Sequence, residues 1–72
     1  MELRDLKTFV VVARNLSFNR AAQIQNTAQS TISARIAALE EELGVHLFDR
    51  IGRKVVLTDA GSRLSSVPRP VV

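Results

Sequence analysis

The run from Ala21 to Glu40, AAQIQNTAQSTISARIAALE, constrains the fold of this chain more than any other part of it. Apolar residues recur at helical spacing on both sides of a short polar break, Gln25-Asn26-Thr27. On the near side, Phe18, Ala21, Ala22 and Ile24 make the buried side of a short helix that ends near Gln25. Ala21 and Ala22 are small, so another helix backbone can approach closely there. On the far side, Ile32, Ile36, Leu39 and Leu43 form a core stripe at steps of four, three and four, which predicts a helix from about Gln29 to Leu43. At about 100° per residue, Ser30, Ala34, Ala37 and Glu41 point the opposite way, with Gln29 and Ser33 on a flank. Gly44 follows Leu43 and suits a left-handed C-cap.

The flanking sequence supplies partners for these two helices. Leu3, Leu6, Phe9, Val10 and Ala13 form the stripe of a first helix ending near Arg14-Asn15. Ser17 is a good N-cap for the second, because its hydroxyl can accept a first-turn backbone N–H. After Gly44 the pattern changes. Gly52 marks a turn, and Leu47–Asp49 and Val55–Leu57 read as the arms of a small β-hairpin with Arg50, Arg53 and Lys54 at its tip. Thr58 starts a fourth helix, weakened by Gly61, Ser62, Ser65 and Ser66 and stopped by Pro68 and Pro70. The expected fold is mostly α, with a three-helix core and the hairpin as a wing: one domain over 1–58, the start of a further helix over 59–67, and a frayed tail over 68–72.

The inventory of side chains narrows the function. Seventy-two residues allow one small domain. At this size a core often needs a metal, disulfides or a partner. There is no cysteine and only one histidine, His46, so neither disulfides nor a metal site is expected, and association or a longer chain is the expected source of stability. No nucleophile has a base beside it and no Gly-rich phosphate loop occurs, so no enzyme and no cofactor are expected. The longest apolar run, Phe9–Ala13, is far short of the ~20 residues of a membrane span. A cytoplasmic protein without a membrane partner is expected. Ten Lys and Arg stand against seven Asp and Glu, a net of +3, and most of the basic residues are arginines, which suit phosphate.

These residues, in this order, resemble the N-terminal winged helix-turn-helix domain of LysR-type transcriptional regulators. The resemblance is carried by Leu6-Phe9, Ser17-Phe18, Ala21-Ala22, Gln29-Ser30 with Ser33 and Ile36, Leu39-Glu40, Leu43-Gly44, Leu47-Phe48, Arg50, Arg53, Leu57-Thr58 and Ala60-Gly61, across residues 2–64. It implies a bacterial transcription factor that binds double-stranded DNA, as a homodimer or larger homo-oligomer in its full-length context. By position it implies base or phosphate contacts from Gln29, Ser30 and Ser33, wing contacts from Arg50 and Arg53, and phosphate anchoring by Ser17 and Arg20. Three positions depart from the pattern. The family usually has leucine where Gln25 stands, a Ser or Thr cap where Ala28 stands, and often arginine where Ala34 stands. Arg35 is next door but about 100° away, which suits it to phosphate.

The residues themselves agree with that expectation. A helix that begins with the short polar side chains Gln29, Ser30, Thr31 and Ser33 can enter a major groove and touch base edges. Lys54 would join the wing arginines on the backbone. Glu40–Glu42 read as a solvated helix end that points away from DNA, and His46 as a surface or packing residue. The rival is a truncated interaction module, lacking the linker helix, that acts by pairing with an intact regulator and uses the first and fourth helices as its contact surface.

Overall fold

The first helix, α1, spans Leu3–Asn15 and ends where Leu16 turns into the left-handed region at φ 49°. This is a computed structural model, and it describes residues 2–66. Ser17 then resets the chain to extended geometry and accepts the N–H of Arg20 at 3.0 Å, so α2 (Phe18–Ile24) starts with its cap in place. Asn26 takes φ 52°, a conformation that Asn tolerates better than most residues, and the Thr27 N–H closes the turn on Ala22 O at 2.9 Å. The third helix, α3, spans Gln29–Leu43. Gly44 ends it at φ 71°, with its N–H on Glu40 O at 2.8 Å.

The core lies where α1, α2 and α3 meet. Phe9 and Val12 come from α1, Ala21 and Ala22 from α2, and Ile32, Ile36 and Leu39 from α3. Leu47 completes the cluster from the segment beyond Gly44. Leu43 does not belong to it. It is 38% exposed, because the helix ends there and no described element covers its outer side; with Val45, Ala60 and Leu64 it lines an open groove.

The hairpin also differs from the expected one. Its strands are β1 (Phe48–Ile51) and β2 (Lys54–Leu57), antiparallel, with Phe48 opposite Leu57 and Ile51 opposite Lys54. Leu47 is therefore not a strand residue. Its N–H is bound by Glu40 and its carbonyl accepts the N–H of Thr58 at 3.1 Å, which leaves its side chain in the core. Arg50 and Lys54 are not at the tip. A two-residue loop, Gly52-Arg53, makes the turn, with Gly52 at φ 63°, so the ladder continues to the pairs Arg50–Val55 and Ile51–Lys54, beyond the arms the sequence pattern showed.

The fourth helix, α4, spans Asp59–Ser65, and Thr58 caps it by accepting the Gly61 N–H at 3.1 Å. The Thr58 hydroxyl in turn donates to the carbonyl of His46. The expected end of this helix at residue 67 and the tail over 68–72 lie outside the described residues. Among the described residues the result is a mostly helical winged helix-turn-helix: four helices and one two-stranded hairpin.

Gly61 gives this fold a sharp test. It is buried, and an added Cβ would sit 2.1 Å from the backbone oxygen of Leu47. Alanine in a helix ordinarily gains about 1 kcal/mol over glycine. Here the collision with backbone should win, so Gly61→Ala is expected to lower stability by about 1–3 kcal/mol in urea unfolding.

Candidate nucleic-acid interface

Helix α3 has two unlike faces. Ile32, Ile36 and Leu39 are buried, while Gln29, Ser30, Ala34, Ala37 and Glu41 are exposed. Thr31 and Ser33 are half-buried beside them. The side chains of Gln29, Ser30, Thr31 and Ser33 make no hydrogen bond to any described residue. Their amide and hydroxyl groups therefore stand ready for donors and acceptors from outside, of the kind base edges present. Small Ala34 and Ala37 further along leave room for close approach.

The cations are arranged around a cluster of rings. Phe48 lies between Phe9 and Phe18, with ring centroids 5.4 and 5.8 Å away. Arg50 leaves β1 and lays its guanidinium over the Phe18 ring, 5.4 Å from the centroid. The wing is thus tied to the start of α2, where Ser17 and Arg20 stand. Arg53 is exposed in the turn and Lys54 at the start of β2. None of Arg20, Arg50, Arg53 and Lys54 forms an ion pair with a described residue. Exposed, unpaired cations of this sort suit phosphate.

Arg35 is placed differently from the other expected contacts. It is half-buried, and its Nη1 faces Gln25 Oε1 at 3.4 Å and Thr8 Oγ1 at 3.5 Å. No sequence pattern signals this meeting, because Thr8, Gln25 and Arg35 belong to different helices or helix ends. Phe18 was equally silent as a support for Arg50, since a phenylalanine at that spacing reads simply as core.

Glu40 corrects the expectation for the acidic run. It is not solvated: its side chain is 20% exposed, and its carboxylate accepts the N–H groups of Leu47 at 2.7 Å and Phe48 at 3.4 Å. This carboxylate anchors the entry into the wing. His46 is a surface residue, 89% exposed, with Nδ1 3.9 Å from Glu40. Among the described residues no cluster of three or more His, Cys, Asp or Glu forms a metal site, and no helix is long and apolar enough to cross a membrane.

The sequence pattern of the family described as bacterial regulatory helix-turn-helix protein, lysR family, matches residues 3–62. The chain belongs to the LysR family. An uncharacterized HTH-type transcriptional regulator, YwqM of Bacillus subtilis, is 39% identical over 72 residues, all of this chain and 25% of that protein. Each of the other leading curated relatives is likewise spanned over less than half its length. A LysR-family transcriptional regulator from Eggerthella lenta superposes with a TM-score of 0.86 at 41% identity, over 89% of this chain and 91% of that one. The DNA-binding domain of BenM, solved on catB site 1 DNA, does so with a TM-score of 0.86 at 43% identity, over 90% of this chain and 73% of that one.

Within this LysR-family fold, one weakness at the interface is measurable. Ala28 occupies the N-cap of α3 at φ −78° and ψ 149°, the extended geometry a cap requires, yet offers no side-chain oxygen. Thr27 does not replace it, and no side chain caps the helix. Ala28→Ser is therefore expected to stabilise the chain by about 0.5–2 kcal/mol. A higher urea midpoint at unchanged m-value would show it.

Proposed function

We propose that this chain binds double-stranded DNA with sequence preference, as the reading module of a cytoplasmic bacterial transcriptional regulator. The observation that carries this reading is the start of α3. Gln29, Ser30, Thr31 and Ser33 form a polar surface without internal partners, directly beside the stripe that packs into the core. In this reading Gln29, Ser30 and Ser33 touch base edges, and Thr31 supports them at the groove wall. Ser17, Arg20, Arg50, Arg53 and Lys54 hold phosphates and supply most of the affinity.

One helix of this length reads only a few base pairs, so binding as a pair on a dyad-related site is part of the proposal. The apolar groove lined by Leu43, Val45, Ala60 and Leu64 is the surface that suits pairing, in a longer polypeptide if the chain is the N-terminal part of one. The likeness to a domain solved on DNA supports the reading.

Two measurements test it. Each phosphate contact contributes about 0.9 to the slope of log affinity against log salt. Arg53→Ala is expected to lower that slope by about this amount and to weaken binding to all duplexes alike. Ser33→Glu places a carboxylate against base edges and phosphates, and is expected to weaken binding to the preferred duplex by at least about a hundredfold. Unchanged affinity for that duplex would exclude α3 as the reading element.

A further inference from the structure

Thr8, Gln25 and Arg35 meet at one point between α1, the end of α2 and α3. Thr8 is fully buried and is the one buried polar residue among those described. Its Oγ1 lies 3.0 Å from the carbonyl oxygen of Arg4 and 2.9 Å from Gln25 Oε1. A hydroxyl has one proton, so it serves one of these acceptors at a time. Arg35 supplies the missing donor, because its Nη1 reaches both Gln25 Oε1 and Thr8 Oγ1. The guanidinium also fixes the Gln25 amide, since only the oxygen can face a donor that never accepts.

This contact lies near the N-terminal end of α3, which has no side-chain cap. Ala28 supplies no cap, and the turn before it passes through Asn26 at φ 52°. Gln25 is the C-cap residue of α2 and Arg35 lies within α3, so their bond spans the turn from outside. Glu2, Arg4 and Asp5 line the same groove as Ser30, Thr31, Ala34 and Arg35, with Arg4 paired to Glu2 at 3.3 Å.

We propose that Arg35 is a positioning residue for α3 and not a phosphate contact. The core stripe sets which side of α3 faces inward, and Arg35 braces the helix against Gln25 and Thr8 and so fixes the angle at which Gln29, Ser30 and Ser33 are presented. The inference rests on the DNA-binding reading above. It assigns the phosphates to Arg20, Arg50, Arg53 and Lys54, which are exposed and unpaired, and removes Arg35 from that set.

The test uses the 72-residue chain, duplexes selected by it from a random pool, and a random-sequence duplex as control. Arg35→Ala, Arg35→Lys and Gln25→Leu are each expected to weaken binding to the selected duplex by about tenfold, the scale of a lost hydrogen bond to a charged group. Binding to the random duplex should stay within about twofold, and the salt slope should change by much less than the ~0.9 of a phosphate contact. Lysine keeps the charge but lacks the fork that spans two acceptors. The Arg35→Ala/Gln25→Leu double variant should be no weaker than either single one, and the same non-additivity should appear in urea unfolding without DNA. A slope reduced by about 0.9 in Arg35→Ala with Gln25→Leu unaffected would overturn the proposal, as would additive effects in both assays. A wild-type chain that selects no duplex would overturn the DNA-binding reading and with it the positioning role, while the unfolding cycle would still report whether the bridge exists.

Discussion

The stripe Ile32–Ile36–Leu39 is buried from three sides at once, by Phe9 and Val12, by Ala21 and Ala22, and by Leu47. Every other property of the chain depends on that burial. Fully burying one such side chain contributes roughly 1.5–3 kcal/mol, so the stripe sets which side of α3 faces inward. Once the stripe is fixed, the helical period fixes the opposite face. Gln29, Ser30 and Ala34 have to point outward, and the polar start of α3 becomes the surface the molecule offers. The alanines of α2 matter for the same reason: larger residues at Ala21 and Ala22, both essentially buried, would push α3 away and turn that face.

A few polar groups then join the other elements to this core. Ser17 starts α2, Glu40 holds the first residues of the wing by their N–H groups, and Thr58 both starts α4 and reaches back to His46. Thr8, Gln25 and Arg35 add one contact inside the helix triad. No buried side-chain donor or acceptor among the described residues is left without a partner. Against that background, the unbonded groups of Gln29, Ser30, Thr31 and Ser33 stand out as a surface whose polarity has no internal use.

Local signals made most of the fold legible in the sequence. Ser17, Gly44 and Thr58 are caps whose chemistry acts within a few residues, and all three act as caps in the structure. The α3 stripe was readable for the same reason, apart from Leu43, whose exposure depends on what lies beyond the helix end. The wing was readable in kind but not in register. Two residues can close its turn only because Gly52 takes a positive φ, and Leu47 leaves the strand because a carboxylate seven positions earlier binds its N–H. Glu40, Arg35 and Phe18 share one lesson. Each looks ordinary in sequence, and each acquires its role from a residue on another element. The residue pattern itself located the polar helix start and the wing, and the family resemblance added their expected roles, but bridges between elements lie outside what such a pattern encodes.

In the proposed function, the start of α3 and the basic wing form one DNA-binding surface. Its most direct test is a titration of the isotopically labelled chain with a selected duplex, followed by backbone amide NMR shifts. The largest changes are expected at Gln29–Ala34, Arg20 and Arg50–Lys54, with Leu43, Val45 and Leu64 little affected at the lowest duplex ratios. Shifts confined to the groove of Leu43, Val45, Ala60 and Leu64, or to the exposed side of α1, with α3 silent from Gln29 to Ala34, would contradict it.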